Sequence, residues 1–245
     1  MRTKGFIDIH CHILPGVDDG ARSISEAERM LNIAYADGIR SVVLTPHFFP
    51  DRFENSKERL LEEMSKLREF TKEFPEPFGL SLGCEVFACS DALEQLMDEK
   101  IPTMADTRYV LVEFPVRIDL KSMLSYVHTL LMSGFWPIVA HVERYEAVHV
   151  HRDGVGQLID LGAHIQVNAA DLSGEHGFKM KRFCRRLLRE DQLHFIGTDA
   201  HRATHRKPEL RLCYERVAKW CGKIRAEQLF IKNPTAMLDG KRIEY

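Results

Sequence analysis

Seven short apolar runs recur along the chain, at residues 6–12, 41–45, 78–84, 109–112, 137–140, 164–167 and 193–197, with helix-like stretches between them. Runs this short and this apolar suit strands buried on both faces, and intervening helices make the sheet parallel. No glycine-rich dinucleotide fingerprint follows any of them, which argues against a Rossmann sheet. The expected architecture is therefore an α/β, TIM-like (β/α) barrel, closed or distorted, as a single domain over residues 1–245.

The helical stretches carry their own start and stop signals. Ser23-Ile24-Ser25-Glu26 has the form of a capping box, and Gly38 stands where the helix it opens should end. Further helices are expected at 56–74, 91–99, 120–132, 155–161 and 179–190, then at 208–220 and 225–231.

The ends of the apolar runs are chemically uniform. Six of the seven stop at a histidine or a carboxylate: His10 and His12, His47, Glu85, Glu113, His141, then Asp199 and His201. His10 and His12 share a face because strand side chains alternate. Asp19, on the loop after the first run, can reach back over the same rim. Taken singly, each has an ordinary reading, as a loop histidine, a helix N-terminal carboxylate or an N-cap. In a barrel all meet at the C-terminal ends of the strands, where catalytic residues sit. So many imidazoles and carboxylates in one place would be repelled and desolvated without cations between them. All are nitrogen or oxygen donors, which suits zinc, manganese or iron. They outnumber the ligands of one tetrahedral ion, so two or three divalent ions are expected, an arrangement that activates water against a phosphate ester.

Other classes are disfavoured. A net charge of −2 gives no reason to expect nucleic acid or an anionic membrane. Residues 1–10 lack a signal-peptide core and no apolar run is long enough to span a bilayer, so no membrane insertion and a cytoplasmic protein are expected. The cysteines form no C-x-x-C pair and none has an arginine six residues later, so no cysteine phosphate loop is present. Cys11 should point away from its neighbouring histidines and pack as a small hydrophobe.

Ile7-Asp8-Ile9-His10-Cys11-His12, Thr45-Pro46-His47, Gly83-Cys84-Glu85, His141-Val142-Glu143-Arg144-Tyr145 and Thr198-Asp199-Ala200-His201 resemble the motifs of the PHP (polymerase and histidinol phosphatase) superfamily. Within it the chain is similar to the bacterial protein-tyrosine phosphatases of capsule and exopolysaccharide loci, the CpsB/YwqE type. The likeness extends through Val17-Asp18-Asp19-Gly20, Ile101-Pro102-Thr103, Gln166-Val167-Asn168 and the ending 229–234. It implies a distorted (β/α)7 barrel holding three ions, usually manganese or a mixture with iron or zinc. Carried onto this chain, one ion takes His10, His12, Glu85 and Asp199. A second shares Glu85 and adds Glu113 and His141, and a third takes Asp19, His47 and His201.

The resemblance also makes Arg144 a phosphate-contacting arginine. Arg206, in Arg206-Lys207-Pro208, is the best match for a second, with Arg202 as the alternative. The implied reaction is hydrolysis of phosphotyrosine by a metal-activated hydroxide, with Asp199 or His201 assisting proton transfer. The implied partner is a phosphorylated bacterial tyrosine kinase with a tyrosine-rich tail, controlling capsular or exopolysaccharide synthesis. A histidinol-phosphate or other small-molecule phosphomonoesterase is the alternative. An open rim near Phe48, Phe49 and Phe53, able to stack a phosphotyrosine ring, is the discriminating feature. An amidohydrolase fits less well, having typically a bridging lysine where this chain has Glu85, Glu113 and His141. A barrel that merely binds a kinase would need a degraded ligand set.

Overall fold

The computed structural model describes residues 5–243. Its strands are β1 (Phe6–Cys11), β2 (Ile39–Leu44), β3 (His47–Phe48), β4 (Gly79–Leu82), β5 (Glu85–Phe87), β6 (Tyr109–Glu113), β7 (Trp136–Val139), β8 (His164–Asn168) and β9 (Phe195–Gly197). Every pairing between them is parallel, in the orders β1-β2-β4 and β3-β5-β6-β7-β8-β9. The expected second and third strands are β2 and β4, and after a short break each is followed by a further short strand, β3 or β5, where the sequence reads as loop. Pro46, which has no N–H for the ladder, lies in the first break. Gly83 lies in the second, where an added Cβ would come within 2.8 Å of Met104 Sδ. Glu85 consequently opens β5 instead of trailing the third strand.

Hydrogen bonds carry the sheet across the breaks. Thr45 N donates to Cys11 O at 2.9 Å, Gly83 N to Leu44 O at 2.9 Å and Glu85 N to Pro46 O at 3.0 Å. At the other margin Asp199 N donates to His10 O and His12 N to Ala200 O, both at 2.8 Å. The end of the last strand thus lies beside the first, and the sheet is a curled parallel one.

The helices cover it through apolar stripes. Ser23 Oγ accepts the Glu26 N–H at 3.2 Å, while the Glu26 carboxylate takes the N–H of Arg22, so the reciprocal arm of the capping box lands one residue early. Gly38 closes that helix, Ile24–Asp37, with φ at 95°. The helix buries Ala27, Met30, Leu31 and Ala34, and Lys57–Thr71 buries Leu60, Met64 and Leu67. The basic helix Phe178–Arg189 buries Phe183, Cys184, Leu187 and Leu188 and keeps its arginines outward. All six cysteines are free. Cys11, Cys84, Cys184 and Cys213 are buried, and burial raises the pKa of each thiol.

Two buried histidines away from the rim give the fold an acid-sensitive seam. His164 lies edge-on between Tyr109 and His194, and His194 Nδ1 accepts the Ile165 N–H. Burial lowers the pKa of His164 to about 4 and, with the neighbouring His164, that of His194 to about 3. Unfolding frees both to titrate near 6.5, so between there and about pH 4 the unfolded chain binds more protons. Stability should therefore fall as pH drops through that window, by on the order of a few kcal/mol in total. Urea unfolding of metal-free protein at pH 7 and pH 4.5 would measure it. A His164→Phe variant with an undiminished pH slope would contradict the assignment.

Candidate metal centre

The nine candidate ligands named from the sequence come together at one rim. His10 lies near the end of β1 and His12 just past it, with their Nε2 atoms 3.3 Å apart. Glu85 Oε2 faces His10 Nε2 at 3.2 Å, His12 Nε2 at 3.2 Å and His47 Nδ1 at 3.1 Å. Asp199 Oδ1 stands 3.6 Å from His10 Nε2 and 3.4 Å from His12 Nε2. The other Glu85 oxygen is 2.7 Å from His141 Nε2, which also lies 3.6 Å from Glu113. Asp19 Oδ1 is 3.5 Å from both His47 Nε2 and His201 Nε2.

Three sets of donor atoms lie close enough to share an ion. The set His10, His12, Glu85 and Asp199 matches one expected group. His12 joins Asp19, His47 and His201 in another, and His47 joins Glu85 and Glu113 in the third. His47 and His12 thus each stand in two sets.

The donor chemistry fits cations. His12 Nδ1 is 2.7 Å from the Asp18 carboxylate, so that nitrogen carries the hydrogen and Nε2 presents a lone pair. His10 Nδ1 likewise faces an oxygen, Gln166 Oε1. Two Nε2 lone pairs therefore point at each other and at carboxylate oxygens, acceptor against acceptor. Glu85 Oε2 is buried without a hydrogen-bond partner. Only protons or metal ions satisfy such a cluster.

The electrostatics make the same demand. Burial opposes charging His10 and His12, yet Glu85, Asp199 and Asp18 outweigh it and raise both pKa values. Glu85 and Asp199 are held well below the carboxylate range despite burial, chiefly by His10. Glu113 is pushed up to about 8 by burial and by Glu85 beside it. His47 is lowered to about 4 by burial.

The arginines take positions that spacing left open. Arg144 does not pair with Glu143 or Glu146; its Nη2 lies 2.9 Å from Asp199 Oδ2. Arg206 Nη2 reaches the same oxygen at 2.6 Å. Its loop doubles back, with His201 N donating to Arg206 O at 3.0 Å, and Arg206 takes a left-handed φ of 48°. Arg202 instead clamps the backbone oxygens of Asp19, Gly20 and His201.

Sequence reasoning missed Asp18, Gln166, Asn168 and Tyr145. Asp18 is buried and accepts from His12, from His47 N at 3.0 Å and from Gly20 N at 2.8 Å. Gly20 is needed there, since an added Cβ would meet His12 O at 2.1 Å. Tyr145 OH lies 3.4 Å from His141 Nδ1. The signal for Asp18 was its place beside Asp19; nothing in the spacing told which of the two points inward.

A cleft of about 310 Å³ opens over the rim, lined by Arg144, Arg206, Phe49, Phe53, Phe87 and Val116 along with all the candidate ligands except the deeper His10 and His12. Phe53 stacks on His47 with centroids 5.6 Å apart, and Phe49 stacks on Phe87 at 4.0 Å. Phe48, expected at the open rim, is buried in the core instead, because it points inward from β3.

Comparison with known proteins bears on what such a rim does. The profile of the family described as capsular polysaccharide synthesis, CpsB/CapC, matches residues 6–239. The tyrosine-protein phosphatase CpsB of Streptococcus pneumoniae is 35% identical over 237 residues, 95% of this chain and 98% of that protein. The tyrosine-protein phosphatase YwqE of Bacillus subtilis is 30% identical over 195 residues, 80% of this chain and 77% of that protein. A solved structure from work on YwqE and CpsB, described as unique metal-dependent tyrosine phosphatases, superposes with a TM-score of 0.90 at 27% identity, covering 97% of this chain and 96% of that one. A phosphotriesterase homology protein from Escherichia coli shares the fold alone, with a TM-score of 0.62 at 12% identity, covering 96% and 99%.

Proposed function

The chain belongs to the CpsB/CapC family of capsular polysaccharide synthesis, and from that premise we propose that it is a metal-dependent tyrosine-protein phosphatase acting at the histidine–carboxylate rim. The observation that carries this reading is the cluster of opposed acceptors around the partnerless Glu85 Oε2, with two arginines and an aromatic wall beside it. We read the curled sheet as a distorted (β/α)7 barrel and the chain as one domain.

His10, His12, Glu85 and Asp199 would hold one ion. Glu85, Glu113 and His141, with His47 alongside, would hold a second, and Asp19, His47 and His201 a third. The all-nitrogen-and-oxygen donor set suits manganese, iron or zinc. When bound, such ions polarise phosphoryl oxygens and acidify a water.

The protein groups do the rest. Arg144 and Arg206 converge on Asp199 Oδ2, which keeps both guanidiniums at the edge of the cleft, where their remaining N–H groups can hold phosphoryl oxygens. His201 Nδ1 donates to Asp199 O at 3.0 Å, so its Nε2 faces Asp19 and the cleft as ligand or proton acceptor. Tyrosine is a good leaving group because its phenolate pKa is near 10. Phe53, Phe49, Phe87, Pro115 and Val116 form a wall against which a phenyl ring can lie. That wall favours phosphotyrosine over histidinol phosphate. The proposed partner is a phosphorylated bacterial tyrosine kinase met in the cytoplasm. Among the described residues no helix is long and apolar enough to cross a membrane.

Phosphotyrosine peptide, phosphoserine peptide and histidinol phosphate, compared by kcat/KM, test the reading. Phosphotyrosine should be cleaved fastest by a wide margin; a better histidinol phosphate rate would move the assignment to a small-molecule phosphatase. Phe53→Ala should raise KM for phosphotyrosine by roughly 2- to 12-fold, the worth of one aromatic contact. An unchanged KM would remove Phe53 from the ring site.

A further inference from the structure

Strand β8 supplies none of the candidate ligands, yet two of its side chains touch three of them from behind. Gln166 and Asn168 are both buried. Gln166 Oε1 accepts the backbone N–H of His141 at 2.7 Å and lies 3.3 Å from His10 Nδ1. Its amide nitrogen donates to Asn168 Oδ1 at 2.9 Å, and Asn168 Nδ2 donates to Asp199 Oδ2 at 2.9 Å. The two residues share a face of β8, which runs between β7 and β9. One end of the pair therefore meets the residue beyond β7 and the other meets the residue beyond β9.

A chain of two amides has two possible polarities, since amide oxygen and nitrogen are alike in shape. Here chemistry fixes both ends. The His141 backbone N–H can only donate, so Gln166 must turn its oxygen to it. The ionised Asp199 carboxylate can only accept, so Asn168 must turn its nitrogen to that. One polarity satisfies both, and it leaves Gln166 Oε1 facing His10 Nδ1. His10 must then carry its hydrogen on Nδ1 and present Nε2 to Glu85 and Asp199. His141 needs an anchor as well: its φ of 30° and ψ of 55° are left-handed, a conformation that residues with a side chain rarely adopt. Asp199, with Oδ2 occupied by Asn168, Arg144 and Arg206, has Oδ1 left for the histidines.

We propose that Gln166 and Asn168 are positioning residues that act as one relay, setting the His10 tautomer, the His141 backbone and the free oxygen of Asp199 together. The proposal rests on the rim being a metal centre. It deepens that reading by naming residues that tune metal affinity without touching the metal.

The test uses the full chain, with Gln166→Met, which removes donor and acceptor at similar volume, and Asn168→Leu, which removes the donor to Asp199 at similar volume and adds no charge. Nitrogen-15 NMR of histidine-labelled, metal-free protein at alkaline pH reads the His10 tautomer. Calorimetric titration with Mn²⁺ reads affinity, and thermal melting of the metal-free proteins reads any general loss of structure. The parent should show the Nδ1–H form of His10, and Gln166→Met should lose that preference. Both variants should bind Mn²⁺ about 10- to 100-fold more weakly, with metal-free melting close to the parent's. Asn168→Leu should keep the parent tautomer, since His141 N still holds the Gln166 oxygen, and it carries the affinity test alone if Gln166→Met fails to fold. An Nε2–H form in the parent, or unchanged Mn²⁺ affinity in the variants, would overturn the relay. A parent that binds no divalent ion would sink the metal-centre reading separately, and the tautomer result would still decide the relay.

Discussion

Glu85→Ala is expected to give a protein stripped of most of its metal and slowed by roughly a thousandfold or more. Glu85 faces four imidazoles, three through Oε2 and His141 through Oε1. Its side chain is buried at the floor of the cleft, and an uncharged water in its place would not balance the ions' charge. Removing it takes a ligand from two of the three donor sets at once. Bound ions are worth several kcal/mol to a developing phosphoryl charge, and each 1.36 kcal/mol is tenfold in rate. Asp19→Ala, by contrast, touches one set, and its side chain is 48% exposed. Elemental analysis of the two purified variants should show the larger loss for Glu85→Ala; equal losses would argue that Glu85 bridges nothing. Exhaustive chelation of the parent should abolish activity and Mn²⁺ should restore it, whereas full activity in metal-free protein would end the metal reading.

For Arg144→Lys the expected outcome is a metal-replete protein whose kcat/KM falls by an order of magnitude or more. The side chain is 30% exposed and one of its N–H groups is spent on Asp199 Oδ2, which leaves others for substrate at the cleft. A planar guanidinium spreads five donors over three nitrogens and can hold Asp199 and two phosphoryl oxygens together, a span that one ammonium nitrogen does not reach. Losing one donor to a transferring phosphoryl group is in the range of about 10²–10³ at its largest. Because Arg206 sits on the same oxygen, part of the effect should be buffered, and Arg206→Lys should show a similar defect. Unchanged kinetics with full metal content would reject the role. Metal lost along with activity would instead mean that the arginine acts by steadying Asp199.

The rim was legible because strand ends are a strong signal: an apolar run that stops at His47 or Glu113 names both the strand and the residue that leaves it. What the sequence hid was local. Pro46 and Gly83 mark the breaks after β2 and β4, and the strands beyond them, at His47–Phe48 and Glu85–Phe87, are too short to show a strand pattern. Asp18 and Asp19 are chemically identical neighbours, and the turn at Gly20 decides which one is buried. Arg206 is too far along an irregular loop for spacing to place it, and the bond from His201 N to Arg206 O brings it back. Gln166 and Asn168 are neutral amides on a strand without a ligand, so no charge pattern singled them out.

The buried thiols carry a consequence for how such an enzyme would live. No cysteine lines the cleft among the described residues, and burial holds Cys11, Cys84, Cys184 and Cys213 in the protonated, poorly nucleophilic form. A phosphatase built on a low-pKa thiolate is silenced by peroxide, which oxidises the attacking sulfur. This rim offers peroxide or an alkylating reagent no sulfur to attack. With ions held at the rim as proposed, its vulnerability would be nutritional: dephosphorylation would follow the supply of divalent metal in its surroundings, and starvation for that metal would leave phosphotyrosine standing.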